Sequence, residues 1–140
     1  MLALFDSCKN AKYKMINNWL NLVDEKKILL AILTLALFVF SPTIFFDFAN
    51  YDDNIYLTSN DYIKNLTLGN VAYIFGHQFY GHYFPVTLII HAIEYFFVGS
   101  KAGFYHFTNV LFHLLNISLL FFLLKKFRLG KIAIVFVSLI

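Results

Sequence analysis

Apolar residues form two long unbroken runs and recur at helical intervals elsewhere. Residues 28–46 carry no charge over 19 positions. As a helix rising about 1.5 Å per residue, this run spans about 28 Å, close to the hydrocarbon thickness of a bilayer. Pro42 near its end is expected to kink it. Residues 104–124 hold 21 positions without a formal charge and stop at Lys125-Lys126. Both runs are read as complete transmembrane helices. Beyond Gly130, residues 132–140 open a third apolar run of nine residues, too short to cross. Its last carbonyls would meet lipid without hydrogen-bond partners. The run is therefore expected to continue, and the chain to be the N-terminal fragment of a longer protein.

The remaining segments are amphipathic. Within residues 1–27, Ile16, Trp19, Leu20 and Val23 recur at helical spacing and predict a short helix on the cytosolic surface. Residues 47–103 separate the two spans. Their first part is polar, residues 67–75 read as a short helix, and residues 85–98 read as a second with Pro85 in its first turn. Thr87, His91 and Glu94 share one face of that helix, opposite Ile89, Ile93, Phe96 and Phe97. Fourteen residues are too few to span, so the pattern fits a helix lying in the membrane interface. The predicted fold is an all-α membrane protein. It has two complete transmembrane helices plus a truncated third, and a long outer loop carrying short interfacial helices. No internal repeat is present.

Composition agrees with this pattern. Of 140 residues, 60% are hydrophobic and 20% aromatic. Charged residues make up 14%, against about 25% in a typical soluble domain. These values exclude a disordered chain. The lone Cys8 excludes an intrachain disulfide scaffold. The net charge of +3 is less informative than its distribution. Residues 1–27 carry five lysines against three acids, residues 47–103 five acids against two lysines, and residues 125–131 four basic side chains. No continuous basic face exists for a nucleic-acid partner. The positive-inside rule puts residues 1–27 and the basic turn 125–131 in the cytosol and residues 47–103 outside. The first apolar run begins too late for a cleaved signal peptide and reads as a retained signal-anchor. The bilayer is expected to be the bacterial inner membrane, or the ER membrane if the source is eukaryotic.

Candidate chemistry sits on the outer side. Asp52 and Asp53 follow the first span directly. Such a pair can supply a general base or ligate a divalent cation, or it can be a solvated turn. All five histidines fall between His77 and His113, without the HExxH spacing of a zinc enzyme and without a supporting cysteine. His106, Asn109, His113 and Asn116 lie three, four and three apart, so they stripe one face of the second span. Polar groups there either join helices or line a path for a polar headgroup. Asn65-Leu66-Thr67 is a glycosylation sequon, relevant only in a eukaryotic lumen.

Several stretches together resemble the N-terminal portion of the polytopic GT-C glycosyltransferases, above all the tetratricopeptide-repeat O-mannosyltransferase-like proteins and their bacterial relatives. They are Asn50-Tyr51-Asp52-Asp53-Asn54-Ile55-Tyr56-Leu57-Thr58-Ser59-Asn60, then Leu66-Thr67-Leu68-Gly69-Asn70-Val71, then Phe84-Pro85-Val86-Thr87 with His91, then His106-Phe107-Thr108-Asn109-Val110-Leu111-Phe112-His113-Leu114-Leu115-Asn116. Tyr51 stands where these relatives usually have Trp, and Phe84 where a His often precedes the Pro. The resemblance implies sugar transfer from a polyprenyl-phosphate donor to an acceptor hydroxyl on the outer face, with inversion. It implies Asp52 as catalytic base, with Asp53 orienting it, contacting the acceptor or joining it on a divalent cation. His91, Glu94, His106, Asn109 and His113 are the candidate substrate-binding residues. The missing C-terminal helices of the same chain would complete the site, so the fragment alone is expected to be inactive. The alternatives are a small non-enzymatic subunit packing through its His/Asn helix face and a transporter fragment.

Overall fold

The structure, a computed structural model, describes residues 24–49 and 51–138. The expected surface helix around Trp19, and Cys8, lie outside the described residues. Among the described residues the chain is mostly helical and forms no strand. It divides into two compact units. One is formed by residues 24–40 and 110–138, the other by residues 41–109.

In the first unit, α1 runs Glu25–Phe40. The Asp24 carboxylate accepts the Lys26 N–H at 3.1 Å, a side-chain cap that starts the helix three residues before the charge-free run. The α-helix ends earlier than the run because of Pro42. Proline has no N–H to donate, and its ring crowds the carbonyl four residues back. The chain tightens there into a 3₁₀ helix, Ser41–Phe45. Ile28, Ile32 and Ala36 recur every four residues and bury one stripe of α1. They pack with Ile117 and Phe121 of α5 (Ala102–Lys126) and Ile134 of α6 (Lys131–Ser138). Glu25 and Lys125 form an ion pair. Most remaining apolar side chains of α1 and α5 point outward, Phe38 to 78% exposure. Residues Glu25–Phe45 and Ala102–Lys126 are each long and apolar enough to cross a membrane.

The second unit is built from short elements. A single π-type turn spans Asn54–Thr58, α2 spans Asp61–Lys64, α3 Leu68–Gly76 and α4 Pro85–Val98. The first two turns of α5 complete it. The Asn60 side chain caps α2 through the Tyr62 N–H, and Thr67 caps α3 through the Asn70 N–H. Thr67 is therefore the cap of α3, and the helix begins at Leu68. Asp61 lies 2.7 Å from Lys64 and holds its ammonium above the usual lysine pKa. Gly99, at φ +62°, ends α4 in a conformation that L side chains rarely adopt. Ile63, Ile74 and Leu88 are closed to solvent and form the core with Leu57, Ala92 and Tyr105. Gly103 permits close approach: a Cβ there would lie 2.6 Å from the Ile44 carbonyl oxygen. On α4, Val86, Ile93, Phe96 and Phe97 remain exposed on the face away from this core.

Candidate functional site

Asp52 and Asp53 lie in the turn that leads into Asn54–Thr58. Asn54 organises that turn. Its carbonyl accepts the Ser59 N–H at 2.9 Å, and its side-chain oxygen accepts the Thr58 hydroxyl at 2.7 Å. Asp53 Oδ2 accepts the Ala49 N–H at 2.8 Å, so this carboxylate closes the turn onto the chain behind it. Asp52 is exposed, and no described group is hydrogen-bonded to its carboxylate. The two acids are thus unequal: Asp53 is held and Asp52 is open to a ligand.

Both acids border a cleft of about 260 Å³ inside the second unit. Thr87 and His91 of α4 form another side, and His106 and Asn109 of α5 a third. Tyr56 and Phe48 supply aromatic walls, with Leu57 and Tyr105 at the base. Among the described residues, no lysine or arginine lines the cleft. Three stretches of chain far apart in sequence therefore bring together Asp52, Asp53, His91, His106 and Asn109.

Glu94 is placed differently. It does not line the cleft but sits behind His91, its side chain 6% exposed. Its Oε2 lies 2.8 Å from Nδ1 of His91, one helical turn earlier. Tyr105 packs against the His91 ring at a centroid distance of 5.7 Å and donates its hydroxyl to the Gly99 carbonyl. His106 Nε2 is buried and has no hydrogen-bond partner among the described residues. An unpaired buried nitrogen of this kind costs about 1–3 kcal/mol.

His113 belongs to the first unit. Its ring meets Phe40 edge-on at 4.6 Å. Helical spacing relates His113 to His106 and Asn109 along α5, but the contacts on each turn differ. His77 stacks on Tyr73 at 3.9 Å, and His82 closes a tight turn with Phe79. Tyr80 and Gly81 both take positive φ in that turn. Among the described residues no group of three or more His, Cys, Asp or Glu side chains converges to hold a metal ion. A divalent cation at Asp52 and Asp53 would need its remaining oxygens from water or a substrate phosphate.

Residues not foreseen at the site are Phe48, Tyr56, Leu57, Thr87 and Tyr105. Tyr56 follows the Asp pair by three and four positions, a spacing that returns it to the same side of a helical turn. Compared with protein-family models, curated proteins and solved structures, the chain matches none of them.

Proposed function

We propose that the chain carries part of the active site of a GT-C-type glycosyltransferase. It moves a sugar from a polyprenyl-phosphate donor to an acceptor hydroxyl. The observation that carries this reading is the single cleft in which an unengaged Asp52 meets Asp53, His91, His106 and Asn109. In this reading residues Glu25–Phe45 and Ala102–Lys126 cross the membrane. The cleft then lies on the outer side, and the basic turn after α5 in the cytosol, as the charge distribution favours. The exposed apolar face of α4 lies in the interface with lipid.

Asp52 accepts the proton of the acceptor hydroxyl as its oxygen attacks the anomeric carbon. The bond from that carbon to the phosphate oxygen breaks, and the phosphate leaves with the electron pair. One base on one face gives inversion. A phosphate leaving group needs charge stabilisation, not a proton. Because no described lysine or arginine lines the cleft, that stabilisation comes from other groups. His113 and the exposed Asn116, farther along α5, suit helix packing better than chemistry.

A polyprenyl-phosphate hexose bearing a diazirine on the sugar tests the assignment. After photolysis of membranes containing the native protein, label is expected in peptides covering residues 48–57, 87–91 and 105–109. Label confined to residues 24–40 and 117–138, or none above a competitor control, overturns it.

A further inference from the structure

The Glu94–His91 pair says what kind of group the cleft receives. An ionised Glu94 only accepts hydrogen bonds, and at 2.8 Å the Nδ1–H of His91 then donates to it. In the neutral imidazole this leaves Nε2 with a lone pair and no proton. Nε2 has no partner among the described residues, and the ring lines the cleft. Asp52 and Asp53 likewise offer only acceptor oxygens when ionised. The cleft is therefore rich in acceptors and, among the described residues, has no lysine or arginine to meet an anion.

We infer that Glu94 is a positioning residue that fixes His91 with a bare Nε2, making this cleft a subsite for an uncharged, hydroxyl-rich ring and not for a phosphate. The inference rests on the sugar-transfer reading for the identity of the ring, and deepens it. Hydroxyl groups donate to the carboxylates and to Nε2 of His91, and they can accept as well as donate. The volume of about 260 Å³ falls just below the roughly 300–1,000 Å³ of pockets for drug-sized ligands. It suits one sugar ring and is far too small for a prenyl chain.

The test is ¹⁵N-histidine NMR of the full chain in nanodiscs, titrated separately with a methyl hexoside and with inorganic phosphate. His91 is expected to show a protonated Nδ1 and a bare Nε2, with Nε2 shifted by the hexoside and not by phosphate. Glu94→Gln keeps the side-chain volume but loses the carboxylate. Its amide can turn either its oxygen or its NH₂ toward Nδ1, so the Nε2–H tautomer should appear beside the Nδ1–H form and hexoside binding should weaken by up to about tenfold, the worth of one hydrogen bond. An Nε2–H tautomer in the wild-type protein, or a response to phosphate alone, overturns the proposal. The wild-type measurements decide it even if Glu94→Gln does not fold. The readout is independent of catalysis. A bare Nε2 with hexoside binding but no transfer by the native protein sinks the enzyme reading and keeps the subsite. Transfer with an Nε2–H tautomer does the reverse.

Discussion

Asp52→Asn is expected to abolish sugar transfer by the native protein while leaving its membrane level unchanged. Asparagine keeps the shape of the side chain but cannot take a proton at neutral pH. A positioned general base contributes about 10²–10⁴-fold to rate. Structural damage should be small, because Asp52 is exposed and no described group is hydrogen-bonded to its carboxylate. Asp53→Asn is the informative companion. Asp53 accepts the Ala49 N–H, and an asparagine Oδ1 can still accept it. Its loss of rate should be smaller than that of Asp52→Asn. Rates of the two variants are read from initial transfer of radiolabelled hexose at matched protein levels. Turnover by Asp52→Asn within twofold of wild type removes Asp52 from the role of base.

The second large effect is on stability. Leu88→Ala is expected to destabilise the unit formed by residues 41–109 by about 3 kcal/mol, within the roughly 2–5 kcal/mol seen for buried leucines. Leu88 is fully buried and packs with Ile63, Ile74 and Ala92, so its removal leaves a cavity between α2, α3 and α4. The same helix offers a control. Phe96 is 69% exposed, and its truncation in a detergent-solubilised protein should cost less than about 0.5 kcal/mol. Hydrogen exchange measures both. Amides of α2 and α4 should lose protection by more than about a hundredfold in Leu88→Ala. Unchanged exchange in that variant would mean that the core around Leu88 does not hold the unit together.

The parts of this architecture that the sequence discloses are those set by local rules. A charge-free run long enough to cross a bilayer predicts a helix, and Pro42 accounts for where its α-helical part stops. Pro85 and Gly99 bracket α4. The spacing of His91 and Glu94 already places both on one helix face, and the structure turns that proximity into a hydrogen bond. Other features depend on long-range packing. Asn54 makes a π-type turn through its own side chain and carbonyl, which no apolar period reveals. The four-residue α2 is too short for periodicity to reveal, and its Asn60 cap emerges only in the structure. The stripe from His106 to Asn116 shows the limit most clearly. Spacing gives the helix face, but not that His106 and Asn109 border the cleft while His113 meets Phe40. Tyr105 was hidden for the same reason: an apolar run does not tell which of its aromatics turns inward.

Transfer itself tests the central claim most directly. Sealed membrane vesicles bearing the native protein, outer face out, are given a radiolabelled polyprenyl-phosphate hexose. Hexose covalently joined to an acceptor hydroxyl should accumulate on the external face, and Asp52→Asn vesicles should show none above background. Vesicles with well-inserted wild-type protein that form no such product with any polyprenyl-phosphate sugar supplied would contradict the account.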